Sequence, residues 1–341
     1  MIEEFPLIEV SGTPYQLGYQ HGSQAKGLVQ KYLTWIEKLT GQSRDILVQR
    51  AITFLPLIKQ LSNDLASEIQ GLADGADISL EEAVLCQVRT EASQTEDGGC
   101  TTFAFTGQNT TDGLTLIGQN QDLEPQYEDV AILLHLKPIG KPRALIFTFA
   151  GQLGYAGLNQ HGVAHFTNAL YGYQWQYGTP HYPIKRILLE QDNLAKCLEL
   201  LQSVKVCSAT NKVICDGEGQ ICDIEIYPSG YSIWQDKWTN GLVHTNHALT
   251  DDYVPQERYL LPDSRSRLNR ARQLFEENLG CLSVSVIKEI LSDHDGHPAG
   301  ICRHGADGMY SVSGYIAEAE KRLLHVRRGP GCLGQWKTYA V

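Results

Sequence analysis

The texture of this chain changes abruptly near residue 100, and that change constrains its fold more than any other feature. Upstream, apolar residues recur at helical spacing: Leu28, Tyr32, Trp35/Ile36 and Leu39 share one face behind Ser23, a residue suited to capping a helix. A short extended lead-in, Leu7–Val10, and a turn at Ser11–Pro14 come before it. A second helical stretch covers 44–69 with a bend at Pro56, and a third starts at the Ser-x-x-Glu capping box of Ser79 and Glu82 and runs to Glu91. Gln94–Gly99 is polar and glycine-ended, so it reads as an exposed, flexible loop. Directly behind it the period falls to two. Thr101–Thr106 and Leu114–Asn120 flank a hairpin-type turn at Asp112-Gly113, and Val130–Lys137, Ala144–Phe149 and Gly162–Asn168 are further strands.

The rest of the chain alternates: a helix from Pro183 to Leu201, hairpins over 212–235, helices around 264–278 and 283–292, and closing strands near 309–316 and 321–327. No repeat or linker divides it. The pattern predicts a layered α+β body in which a helical segment, 1–99, joins a strand-rich portion, 100–341, as one domain.

Composition narrows the function classes. A net charge of −11 over 341 residues argues against a nucleic-acid surface or a basic membrane-docking face. No apolar run approaches the ~20 residues that span a bilayer. Neither a secretory leader nor a C-terminal address is visible. The nine cysteines are odd in number and scattered, which reads as reduced thiols and a cytoplasmic setting.

Chemistry concentrates at Asp97-Gly98-Gly99-Cys100-Thr101-Thr102. A cysteine stands where a glycine-rich loop turns into a strand, and the glycines relieve crowding around the Gly99 carbonyl. A neighbouring thiol can attack that carbonyl and shift the chain onto sulfur, and water then releases a new N-terminus. A free α-amine titrates near ~7.7–8 and is a usable base at neutral pH, whereas an amide nitrogen is not. One residue would then supply both nucleophile and base. Taken alone, this tripeptide is more simply a buried cysteine at a strand start. Asp122, in Gly118-Gln119-Asn120-Gln121-Asp122, should return beside Cys100 across the hairpin. Asn246, in His244-Thr245-Asn246-His247, can donate to an oxyanion. Arg303, in Ile301-Cys302-Arg303, can lower a thiol pKa or clamp a carboxylate. Each has a plainer reading as a turn, cap or surface residue.

Taken in order, these four motifs resemble the acyl-coenzyme A:6-aminopenicillanate acyltransferase family. So do Gly12-Thr13-Pro14-Tyr15, Gly18–Gly22, Glu68–Gly75, Arg89-Thr90-Glu91 and Gly162–Leu170, so the resemblance runs from about residue 7 to about residue 330. It implies a four-layer αββα N-terminal-nucleophile (Ntn) hydrolase fold. It also implies self-cleavage between Gly99 and Cys100 into two chains that stay associated. Cys100 would be the nucleophile, Asp122 and Arg303 would position and activate it, and Asn246 would help form the oxyanion hole. Asn168 would be a further polar contact, by similarity to bile-salt and penicillin V hydrolases. Gln121 departs from the aromatic residue expected there, which bears on substrate shape. The expected reaction is hydrolysis of a small N-acyl amide or thioester without a cofactor. Acyl transfer is the alternative, with acyl-coenzyme A as a co-substrate.

The cluster Tyr171-Gly172-Tyr173-Gln174-Trp175 is the best candidate for a substrate-contacting loop, through Tyr171, Tyr173 and Trp175, and would favour an apolar or aromatic acyl group. Gly151-x-x-Gly154-x-x-Gly157 lacks the strand–helix setting of a phosphate loop. A papain-like site finds no matching elbow around Cys100. His294, His297, Cys302 and His304 fit no closed tetrahedral spacing, and residues 293–298 read as a polar loop, so no metal is expected. Two rivals from other classes are a binding module on the same fold and a metal-dependent hydrolase built on the 293–304 loop. The first should have lost one of Cys100, Asp122, Asn246 or Arg303, and all four are present.

Overall fold

The structure, a computed structural model, describes residues 4–95, 98–238 and 240–341. Six helices precede the second strand: α1 (Pro14–Thr40), α2 (Arg44–Ala51), α3 (Leu55–Leu61), α4 (Asn63–Ala76), α5 (Leu80–Gln87) and α6 (Arg89–Ser93). Thr13, not Ser23, caps α1, with Gln16 completing a capping box, and the turn through Pro14 runs straight into the helix. The stretch over 44–69 is three helices. A 3-10 turn at Ile52–Phe54 separates the first two, and extended Ser62 ends the second while capping the third. The box at Ser79 and Glu82 caps α5 as expected.

Helices α1 and α4 cross at backbone contact. A Cβ at Gly18 would lie 1.8 Å from the Glu68 carbonyl oxygen, and one at Gly71 would lie 2.0 Å from the Tyr15 oxygen. The glycine-rich motifs in both segments are therefore a packing requirement. Arg89, fully buried, donates to the hydroxyls of Tyr32 (2.9 Å) and Tyr182 (2.8 Å), and Glu91 accepts the His181 N–H (2.8 Å). These contacts lock α6 to the body of the protein next to the site described below.

An eight-stranded sheet contains β1 (Leu7–Gly12), β4 (Ala131–Pro138), β5 (Ala144–Phe149), β6 (Ala156–Asn159), β7 (Ala164–Ala169), β8 (Thr210–Cys215), β9 (Ile221–Tyr227) and β10 (Gly230–Trp234), in that spatial order. A six-stranded sheet runs β11 (Gly241–His244), β2 (Gly99–Phe105), β3 (Leu116–Leu123), β12 (Tyr310–Glu318), β13 (Leu323–Arg328) and β14 (Trp336–Ala340). All neighbours are antiparallel except β1 and β4. The connection from β2 to β3 is longer than a hairpin turn and includes a 3-10 turn at Gly107–Asn109. Strands β6 and β14 are short segments that periodicity does not reveal.

The sheets face each other, and period-two alternation sorts their side chains. Ala104, Ile117 and Tyr315 of the smaller sheet meet Phe147, Phe166 and Val213 of the larger; Phe166 stacks on Tyr315 at 5.6 Å between ring centroids. The outer face of the larger sheet carries Ile214, Ile224 and Ile226 under α7 (His181–Leu188) and α8 (Leu194–Ser203). These two helices replace the single one expected over 183–201, because Asn193 starts a new helix by accepting the Lys196 N–H. The outer face of the smaller sheet carries Phe103, Phe105 and Val243 under α9 (Ser264–Glu276) and α10 (Val284–Ile290). The result is the α+β, four-layer αββα arrangement. Helices α1–α6 share the main core with β4 and β5, so residues 4–95 are built into the same body as the strands.

Candidate active site

Strand β2 starts directly after Gly98, whose φ of +91° and tight surroundings exclude a side chain: a Cβ would meet Leu123 at 2.8 Å and the Asp122 carbonyl oxygen at 2.9 Å. Gly98 and Gly99 are buried, contrary to the exposed loop expected there. Of that loop, Glu96 and Asp97 lie outside the described residues. Register pairs Gly99 with Asp122 and Cys100 with Gln121. Successive side chains of β2 alternate, so Cys100 turns toward the larger sheet while Thr101 turns toward α9.

The Cys100 thiol lines a cavity of about 60 Å³ with Thr95, Gln121, Thr167, Ala169 and Trp175. Gln121 Nε2 donates to Sγ at 3.2 Å. Burial pushes the thiol up to about 12, and the Asp122 carboxylate adds to this; Arg267 opposes it. In this state the sulfur is a protonated, neutral thiol.

The backbone of Cys100 is held from the other side. Its N–H donates to Asn246 Oδ1 at 2.7 Å, and its carbonyl accepts from Arg267 Nη1 at 2.6 Å. Arg267 Nη2 also donates to Asn246 Oδ1, at 2.8 Å. Two donors on one oxygen fix the orientation of the Asn246 amide, and its Nδ2 donates to the Ala169 carbonyl at 3.1 Å. Asn246 is itself pinned: Ser264 Oγ accepts its N–H at 2.8 Å, and His244, two residues earlier, bonds Glu225 of β9 at 3.0 Å. Against burial, the Asp223 charge and the Glu225 partner hold His244 above its usual pKa, while Glu225 is lowered to about 2. The His-Thr-Asn-His motif therefore anchors β11 to the opposite sheet and aims the asparagine.

Behind β2 lies a charged cluster. Arg303 pairs with Asp122 (3.6 Å), Asp307 (3.2 Å) and, more closely, Asp263; Asp263 also pairs with Arg267. Ser311 Oγ donates to Asp122 at 2.6 Å and accepts the Arg303 N–H at 3.0 Å. Burial raises Asp122, and the two guanidiniums pull it back. A Cβ at Gly99 would sit 3.5 Å from Arg267 and 3.6 Å from Arg303, so both guanidiniums face the backbone of the Gly99–Cys100 peptide.

The sequence-predicted residues thus separate. Cys100, Asp122, Asn246 and Arg303 converge on Gly99 and Cys100, and Trp175 lines the cavity. Tyr171 donates to the Gly98 carbonyl at 2.5 Å, immediately before Gly99. Tyr173 lies elsewhere, against Tyr227 (4.8 Å between centroids), with its hydroxyl on the Tyr253 carbonyl. Asn168 is fully buried on β7, its amide without a hydrogen-bond partner, and is not among the residues lining the cavity. Sequence reasoning missed Arg267 and Asp263. The signal for Arg267 was its place on the buried stripe of α9, four and eight residues before Ala271 and Phe275. Away from this site, His294, Cys302 and His304 meet Cys332, which spacing within the 293–304 loop could not include; the His297 ring is 6.5 Å from that of His304.

The family profile described as "Acyl-coenzyme A:6-aminopenicillanic acid acyl-transferase" matches residues 108–314. The 40 kDa form of acyl-coenzyme A:6-aminopenicillanic-acid-acyltransferase from Emericella nidulans is 30% identical over 312 residues, 88% of this chain and 85% of that one. The chain belongs to this acyltransferase family. Among solved structures, a mutant conjugated bile acid hydrolase from Clostridium perfringens aligns at a TM-score of 0.45 and 12% identity, covering 71% of this chain and 97% of its own. Penicillin V acylase from Agrobacterium tumefaciens aligns at 0.48 and 10%, covering 71% and 86%. Among the described residues, no helix is long and apolar enough to cross a membrane.

Proposed function

We propose that the chain is a self-processing cysteine amide hydrolase with acyltransferase capacity, whose nucleophile is Cys100. The observation that carries this is the double hold on one residue: its thiol faces a cavity while its N–H rests on Asn246 Oδ1. In the first step the Cys100 sulfur attacks the Gly99 carbonyl, the carbon–nitrogen bond breaks and the thiol proton ends on the freed amine. Water then hydrolyses the thioester, regenerating the thiol beside a new α-amino group. That amine titrates near ~7.7–8 and inherits the Asn246 contact, so a base stands next to a sulfur that previously had none.

Turnover follows the same geometry. Cys100 attacks the carbonyl of a small N-acyl amide or thioester, and its amine returns the proton to the departing amine or thiol. The Asn246 amide has two N–H hydrogens and spends one on Ala169, which leaves one for the oxyanion. Asp122 and Arg303 position the strand and balance its charge, and Arg267 joins them. Trp175 and Tyr171 contact the acyl group; Asn168 supplies a polar contact once the cavity widens, while Tyr173 acts from farther out. A cavity of about 60 Å³ holds a few waters and no acyl chain, since small-molecule sites run to roughly 300 Å³ and more. Thr95 forms part of its wall, so release of the segment ending at Gly99 is the step that opens it. The fragments 1–99 and 100–341 stay associated through the shared core.

Acyl transfer is the second reading, favoured by the name of the Emericella relative; acyl-coenzyme A would then serve as co-substrate, and no other cofactor is needed. Nine free thiols, seven of them buried, support a reducing, cytoplasmic setting. The test is turnover of a panel of N-acyl amides and acyl thioesters, with and without an acceptor amine. Release of acid or transfer to the amine, lost in Cys100→Ala, supports the reading; turnover that survives in Cys100→Ala contradicts it.

A further inference from the structure

The group at His294, Cys302, His304 and Cys332 is not used by this chemistry. Its four candidate ligand atoms all lie within 4.8 Å of one another. His304 Nε2 is 3.0 Å from His294 Nε2, 3.7 Å from Cys302 Sγ and 3.4 Å from Cys332 Sγ. A tetrahedral ion with bonds of about 2.3 Å to sulfur and about 2.05 Å to nitrogen spaces its ligands roughly 3.3 Å (N to N) and roughly 3.6 Å (S to N) apart. The three separations to His304 Nε2 sit close to those edges. Hydrogen bonding explains them poorly, because one imidazole nitrogen carries at most one proton and here faces three partners. Backbone N–H groups of Gly331 and Cys332 approach Cys302 Sγ.

We propose that these four side chains bind a zinc-class divalent ion in a closed, structural site. Two thiolates and two imidazoles satisfy the ion fully, so it has no open position for substrate, and binding releases the two thiol protons. The ion joins two segments distant in sequence, the 293–304 loop and the turn between β13 and β14. Arg303 stands between two of the ligands, and its N–H is on Ser311, which also holds Asp122. The site therefore fixes the loop from which Arg303 reaches the back of β2. This makes the ion a positioning element, and its binding stands whether or not Cys100 proves to be the nucleophile.

The test uses the full chain, reduced anaerobically, stripped with a chelator and titrated with cobalt(II). The expected result is one equivalent bound, with the intense visible bands of tetrahedral, thiolate-ligated cobalt, displaced by zinc(II). Cys332→Ser and His294→Gln each remove one ligand at an exposed position and should weaken binding by at least roughly 100-fold, since even outer partners of a metal ligand are worth 10–100-fold. Cys281→Ser, another exposed cysteine, should bind as the parent does. A parent chain without the tetrahedral spectrum overturns the proposal. So does a Cys332→Ser chain that binds cobalt as tightly as the parent, or a Cys302–Cys332 disulfide in freshly isolated protein.

Discussion

On the face of β2 that looks between the sheets, Cys100 lies beside the amides of Gln119 and Gln121, in a cavity whose wall also carries threonines, Ala169, His181 and a single charged side chain, Lys185. On the face that looks at α9, within one residue, stand two guanidiniums and three carboxylates, linked in one chain of ion pairs. The difference teaches what each side is for. Burial and the Asp122 charge outweigh Arg267 and the amides and push the thiol up to about 12, so the proposed reaction needs the base that cleavage would make beside it. Charges behind the strand are closed on each other, so their work is to hold the backbone of residues 99 and 100 still. In the proposed reaction, Cys100 would be kept idle by its own side and presented by the opposite one.

That division is easiest to break from behind. Arg267→Met removes the donor to the Cys100 carbonyl and to Asn246 Oδ1 and leaves Asp263 one partner short; a buried pair broken this way costs about 3–5 kcal/mol, to be read from denaturant midpoints. Next, Asn246→Ala should slow both self-cleavage and turnover by about 10²–10³-fold, with a smaller effect on KM than on kcat. Asp122→Asn keeps the shape and the Ser311 contact but removes the negative charge that raises the thiol. More of the Cys100 thiol is then ionised at a given pH, so its alkylation in the uncut chain should be faster, by about tenfold. The wild-type chain should show the same physics in its pH dependence. With the thiol up at about 12, the self-cleavage rate should climb with pH throughout the neutral range, with no plateau near the ordinary thiol value. The smallest change is Gln121→Leu, which takes one donor from the sulfur and should cost about 0.5–1.5 kcal/mol in the cleavage barrier.

Much of this was legible in the chain itself. The change of period at residue 100, the capping box at Ser79 and the strand at 144–149 follow from local spacing, which a single sequence displays directly. Local breaks were harder. Asn193 and Ser62 restart helices by capping them, and a polar residue inside an apolar pattern does not announce which role it takes. Cys100, Asp122, Asn246 and Arg303, which the structure brings together, stand out in the sequence because each sits in a compact motif. Arg267 does not, because residues 264–270 contain three arginines and only tertiary packing tells the buried one from the solvated ones. Cys332 escaped for a related reason: it lies 28 residues beyond His304, and the turn that brings it back is set by the β13–β14 pairing.

The central claim is that the Gly99–Cys100 bond is cut by Cys100 itself. Intact-mass analysis of the purified protein beside Cys100→Ala, with sequencing of any new N-terminus, tests it most directly. The account predicts that the wild type separates under denaturing conditions into 1–99 and a chain beginning at Cys100, while the variant stays whole at 37.9 kDa. Two uncut chains of that mass, or a variant that is cut at the same bond, would contradict it.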